Sequence, residues 1–208
     1  FLIVAILWGI EFSTAPRPED VAIANTILDA GPSVILGAHP HVLQPVETYR
    51  TADGRNTVVF YSLGNFLSNQ SRTYIDGLMP DSDGDPRDEM IALFSAVKND
   101  YGPGGIRVEL GHVGILPAWG VNNRNVLASG KTKIPVIGPI LMDREIPALQ
   151  AQLDALSKLP QPFSYDQKQQ FGALTSRLKI LRDRSQRTVA RFGVGVARPP
   201  EVPAVPRK

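Results

Sequence analysis

Phe1-Leu2-Ile3-Val4-Ala5-Ile6-Leu7 and Ser33-Val34-Ile35-Leu36 are the two stretches whose reading decides the fold. Both are continuously apolar and rich in Ile and Val, the pattern of strands buried on both faces. Between them lie Pro16 and Pro18, then Glu19 and Asp20, acidic residues suited to the first turn of a helix. Val21, Ala24 and Leu28, joined by Ile23 and Ile27, recur at helical spacing, and Gly31 is a natural stop. Strand, helix and strand in this order make a βαβ unit with parallel strands. Ligands of such sheets gather at the carboxyl ends of the strands. Here those ends are Leu7-Trp8-Gly9 and Gly37-Ala38-His39-Pro40-His41, which are therefore expected side by side.

Working outward, residues 45–50 and 57–62 read as a hairpin turning through Asp53-Gly54. Residues 69–88 form a polar loop that holds most of the local acids. Residues 90–98 and 105–116 are a further strand pair, and residues 1–141 together make one layered α/β domain. From Asp143 the period becomes helical. Ile146, Leu149, Leu153 and Leu156 mark one helix, ended by Pro160 and Pro162. Phe171, Leu174, Leu178 and Leu181 mark a longer one over 165–192, so residues 142–195 are expected as a helical hairpin. Residues 196–208 are rich in proline and read as a disordered tail.

The composition, 43% hydrophobic and 20% charged, is that of a globular protein. A net charge of +2 gives no footing for nucleic acid, although residues 142–208 carry +6 and the rest −4. The basic excess sits on Arg177, Arg182, Arg184, Arg187 and Arg191. It reads as a solvated helix face, or as a contact for an anionic polymer or a membrane surface. With no cysteine, neither disulfides nor thiolate metal sites exist. The opening apolar run is too short to span a bilayer and lacks the marks of a signal peptide. The chain starts on Phe, inside a strand, and reads as a piece of a longer protein.

The sharpest motif is Gly37-Ala38-His39-Pro40-His41-Val42-Leu43-Gln44. Pro40 fixes its own φ and drives His39 out of the helical region, so the segment is expected to be extended, with both imidazoles on one side. Neutral imidazole is a common ligand of Zn, Mn and Fe, and this pair uses two of the chain's three histidines. The spacing alone leaves two readings open: half of a metal site, or two polar loop residues.

Three blocks resemble, in order, those of the CapA-like family of poly-gamma-glutamate capsule synthesis proteins (PGA_cap), within the calcineurin-type metallophosphoesterase superfamily. Trp8-Gly9-Ile10-Glu11-Phe12 is similar to its His-Trp-Gly-x-Glu-Tyr block. Residues 37–47 are similar to its Gly-His-His-Pro-His-Val-Leu-Gln-Pro block. Phe60-Tyr61-Ser62-Leu63-Gly64-Asn65-Phe66 is similar to its Tyr-Ser-Leu-Gly-Asn-Phe block. The resemblance covers the first third of the chain and implies the C-terminal portion of a metallophosphoesterase-like layered β-sandwich flanked by helices, here followed by the helical hairpin. It implies a bacterial protein of the cell envelope, anchored or exported, that takes part in capsule synthesis. It further implies a metal-dependent hydrolase site in which His39 and His41 each serve one of two divalent ions, Mn, Zn or Fe, with Trp8, Glu11 and Asn65 lining it. Two such ions activate water and clamp the oxygens of an in-line displacement. The substrate would be a phosphoester or an anionic polymer, and an envelope synthase complex the partner. The family's remaining ligands, on an Asp-bearing early motif, a later Asp and an Asn-His motif, would lie before residue 1.

One departure bears on chemistry. Leu7 stands where the family has a histidine, and leucine coordinates nothing. Either fewer ions or none bind, or Glu11 or another donor substitutes, or the fold serves as a non-catalytic polymer-binding or scaffold protein. Elsewhere, His112 shares parity with Ile106, Val108 and Leu110 and reads as a half-buried strand histidine. Asp81-Ser82-Asp83-Gly84-Asp85 resembles a calcium loop but lacks its distal glutamate, and reads as a solvated acidic loop.

Overall fold

A computed structural model describes residues 1–192, so the expected tail at 196–208 lies outside the described residues. The fold is mixed α/β with two sheets. Its elements are β1 (Ile3–Leu7), α1 (Pro18–Asp29), β2 (Val34–Ala38), β3 (Val46–Arg50), β4 (Asn56–Phe60), β5 (Asp88–Asp100), β6 (Ile106–Asn122), α2 (Arg124–Ala128), β7 (Ile137–Leu141), α3 (Met142–Ser157) and α4 (Tyr165–Ala190). One sheet has the order β1-β2-β4-β3, the other β5-β6-β7. The chain forms two compact units. The first holds residues 1–64 and 90–116 with Arg191 and Phe192, the second residues 65–89 and 117–190.

In the first unit β1 and β2 run parallel, as do β2 and β4, while β3 and β4 close the expected hairpin. α1 opens with Pro18 at its first position, and the Asp20 carboxylate accepts from the Arg17 backbone N–H at 3.1 Å, satisfying a donor at the helix start. Ala24 and Leu28 of α1 pack with Trp8, Ile35, Val59 and Tyr61 on one side of the sheet. On the other side Val34, Val46, Val58 and Phe60 pack against Met90, Val113 and Ile115 of β5 and β6, so two sheets and a helix make three layers. The reading of β1 as buried on both faces is corrected. It is the sheet's edge, its burial alternates, and Leu2, Ile3 and Leu7 are exposed. A continuous apolar run cannot report on its own which neighbour covers its second face.

One crossing fixes the carboxyl end of this sheet. The Trp8 indole N–H donates to the Tyr61 carbonyl at 2.7 Å, and the Trp8 and Tyr61 rings stack at 5.6 Å. The indole reaches that carbonyl by passing over Gly37. A Cβ on Gly37 would sit 2.2 Å from the Tyr61 oxygen and 2.6 Å from the Trp8 nitrogen. Only glycine leaves this crossing open.

In the second unit the α3–α4 pair is the expected helical hairpin, and its apolar faces, with Leu149, Leu178 and Leu181, enclose Tyr74, Trp119 and Met142. The Arg-rich face of α4 is not simply solvated. Arg184 is 2% exposed, donating to Asp88 at 3.1 Å, Asp85 at 3.2 Å and the Tyr74 hydroxyl at 2.7 Å. Arg187 pairs with Asp81, and Arg177 with Glu145 at 2.6 Å. The acidic loop is therefore an anchor for α4 rather than a calcium loop or a free one. His112 is exposed, not half-buried. Glu89 is 2% exposed, and burial pushes its carboxyl up to about 8, against the pull of Arg87 and with the help of Asp88. Burial likewise pushes Asp88 up to about 7 against Arg184.

Two predictions follow from this packing. Gly37→Ala should cost about 2–3 kcal/mol by overpacking a crossing made partly of backbone, lowering the melting temperature by about 5–10 °C; an unchanged melting curve would refute the crossing. Glu89 holds its proton in the folded state at a pH where the unfolded chain has lost it. Its stabilising effect is therefore present below the unfolded value of 4.5 and is lost as pH rises towards about 8. Melts followed by circular dichroism should show stability falling over that window, and Glu89→Gln should flatten part of the fall.

Candidate functional site

The parallel register pairs Leu7 with Ala38, so the loops leaving β1 and β2 start as neighbours. Two contacts stitch them together: the Trp8 N–H donates to the Ala38 carbonyl at 3.2 Å, and the Phe12 N–H to the Pro40 carbonyl at 2.8 Å. Gly9, at φ +81°, turns the first loop with Pro40 packed close above it. Gln44, 1% exposed, donates from its amide to the carbonyls of Ser13 at 2.9 Å and Ala15 at 3.0 Å, tying down the loop that carries Glu11.

The result is one cluster. Glu11, His39 and His41 place one ligand atom each within 4.8 Å of one another. His41 Nε2 lies 3.9 Å from Glu11 Oε1, and the two imidazole rings are 6.0 Å apart with Phe12 6.1 Å from His41. Glu11 and His39 are exposed and His41 half-buried, so the cluster is open to solvent. The segment is not extended as expected. His39 has φ +101° and His41 φ +62°, and the chain bends at both. The bend lets the chain reverse after β2, so that Leu43 bridges to Leu63 and the Gln44 N–H reaches the Ser62 carbonyl at 3.2 Å. Side-by-side imidazoles thus arise from a turn and not from strand alternation. Three of the four non-glycine residues with positive φ among the described residues, Phe12, His39 and His41, sit in these two loops. Such strain is held where surrounding structure over-determines it, and it gathers at functional sites.

The donor set fits a divalent cation. Two neutral imidazoles and a carboxylate form a common ligand trio for zinc and related ions. Two donors on one such ion lie about 3.3 Å apart, from bonds of about 2.0–2.1 Å at a tetrahedral angle. The observed separations are wider by an amount that rotation of exposed side chains closes. Leu7 is 78% exposed at the end of β1 and contributes no donor. Trp8, read as lining the site, is 8% exposed and spends its N–H on Tyr61. Asn65 lies in the second unit, where its amide donates to Gln70 at 3.0 Å and to the Pro86 carbonyl at 2.9 Å. The sequence reading missed Gln44 and Gly37 as positioning residues. Both stood inside the quoted motif, but their roles depend on partners far along the chain.

The comparisons with known proteins converge on the same stretch. Residues 1–70 match the family model of bacterial capsule synthesis protein PGA_cap. The PGA biosynthesis protein CapA of Bacillus subtilis (strain 168) is 42% identical over 72 residues, 35% of this chain and 18% of that protein. The capsule biosynthesis protein CapA of Bacillus anthracis is 40% identical over 72 residues, 35% of this chain and 16% of that one. An uncharacterized protein, y4sH, of Sinorhizobium fredii (strain NBRC 101917 / NGR234) is 33% identical over 93 residues, 44% of this chain and 19% of that protein. The chain spans less than a fifth of the length of these curated relatives. Over residues 1–70, which hold Glu11, His39 and His41, the chain is similar to the CapA-like capsule synthesis proteins.

Proposed function

We propose that this chain serves bacterial capsule biosynthesis, in the poly-gamma-glutamate class, and carries part of a metal-dependent hydrolase site at the cell envelope. The observation that carries the reading is the Glu11–His39–His41 cluster at the carboxyl end of a parallel sheet, inside the stretch shared with the two CapA proteins. His39 and His41 would hold the ion through imidazole nitrogens, with Glu11 as the neighbouring carboxylate. A bound divalent ion supplies Lewis-acid polarisation of a phosphoryl or carbonyl oxygen and a fixed point of attachment for the substrate. The chain's own part is positional. Gln44 and the Phe12–Pro40 contact fix the two loops, and Gly37 with Trp8 sets the floor beneath them. An anionic polymer or a phosphoester is the substrate class suited to such a cation. Among the described residues no helix is long and apolar enough to cross a membrane, so the envelope association proposed here rests on the relatives.

A second reading has its own support. Leu7, exposed where the family carries a histidine, removes a donor from the rim, as expected of a fold retained to bind polymer or to organise a synthase complex without catalysis. The two readings part on a pair of measurements. Calorimetric titration of the chain with Zn²⁺ or Mn²⁺ should give one binding event that weakens at least about tenfold in His39→Ala and in His41→Ala. Equal affinity in wild type and both variants would remove the metal reading. In the full-length protein, Leu7→His should add metal stoichiometry and phosphoesterase turnover if catalysis was lost at this position.

A further inference from the structure

The second unit contains a cavity of about 220 Å³ whose lining includes Tyr74, Asp76, Arg87, Trp119, Val121 and Ile140. It is larger than the roughly 150 Å³ apolar cavity that accepts benzene, and its lining carries Arg87, a cation without a paired carboxylate among the described residues. Two arginines of this unit have buried or half-buried side chains. Arg184 is met by Asp85 and Asp88, whereas Arg87 has no carboxylate within 4.0 Å among the described residues. Arg87 donates from Nε to the Gly120 carbonyl at 2.6 Å, and its guanidinium lies 4.5 Å from the centre of the Trp119 ring. Its two outer nitrogens make no hydrogen bond to the protein among the described residues, and neither is enclosed as an unsatisfied buried atom. They are therefore accessible, and Arg87 lines the cavity. Burial, and then the nearby Arg184, push the Arg87 pKa down against the smaller pull of Tyr74, Asp88 and Glu89. Burial pushes the Glu89 carboxyl up to about 8, which weakens the counter-charge it offers Arg87.

A half-buried cation without a counter-ion is costly, and a guanidinium fork is shaped for a planar anion. The pocket also limits which anion. Asp76, which accepts from the Tyr74 hydroxyl at 2.9 Å, and Arg177, already paired with Glu145 at 2.6 Å, share the lining, so Arg87 is the lining cation left to a ligand and Asp76 opposes a second negative charge. Trp119, Val121 and Ile140 offer an apolar wall to whatever carries the first. We propose that this cavity binds a small organic monocarboxylate, taken by the outer nitrogens of Arg87 with its apolar body against Trp119, Val121 and Ile140. This site is separate from the histidine cluster and does not rest on the metal reading.

Benzoate is the probe, with benzamide as its uncharged isostere and phthalate as its dianionic relative, each titrated into the whole chain by NMR. Benzoate should bind with a dissociation constant on the order of 1 mM. Benzamide and phthalate should bind at least about tenfold more weakly, as should benzoate to Arg87→Met. Arg87→Lys, which keeps the charge but loses the fork, covers the case in which the methionine variant does not fold, and should also lose affinity. Benzamide binding as well as benzoate, full affinity in the variant that folds, or no benzoate binding up to about 50 mM would each overturn the proposal.

Discussion

The indole of Trp8 hydrogen-bonds across a glycine to the carbonyl of Tyr61, and the candidate site is built on that bridge. It joins the ends of β1 and β4 over the top of β2, the strand between them. A bulky aromatic therefore closes the sheet at the edge where its loops emerge, and the loops inherit a fixed floor. Above this floor the Phe12–Pro40 contact and the Gln44 amide set the height and tilt of each loop. Histidines on loops without such a base would sample many mutual distances. Here three donors from two separate segments converge within a few ångströms. The buried Gln44 leaves its own carbonyl oxygen without a hydrogen-bond partner among the described residues, a polar cost within the apparatus that holds the site.

Much of the fold was legible in the sequence, for a physical reason. Their elements are local in sequence, and the period of their apolar residues changes where the structure does. The βαβ unit, the Asp53-Gly54 hairpin and the α3–α4 pair follow from patterns confined to short windows. His39 and His41 were legible as a pair because residue type and spacing carry their chemistry. Their backbone was not. Pro40 argues for extension at His39, but the need to turn the chain back towards Leu63 overrides that local preference. β1 opens the sequence, and its burial alternates at the edge of the sheet.

The charges illustrate the same limit over longer range. The arginines of α4 and the acids of residues 81–88 look like two wet segments when each is read alone. In the second unit they answer one another across about a hundred positions of chain, with Arg184 at 2% exposure as the centre. Single-segment reasoning assigns each charge to water because water is the only partner in view. What remains after the pairing is more informative than the pairing itself, since Arg87 is the half-buried arginine of this unit left without a paired carboxylate once Arg184 has found Asp85 and Asp88.

The positive φ angles of His39 and His41 bear on the stability of the turn that carries them. Glycine adopts that backbone without strain, while histidine does so at a cost of order 1 kcal/mol each. A chain optimised for stability alone would place glycine at both. Glycine at either position would relax the turn and remove one of the three donors that lie together there.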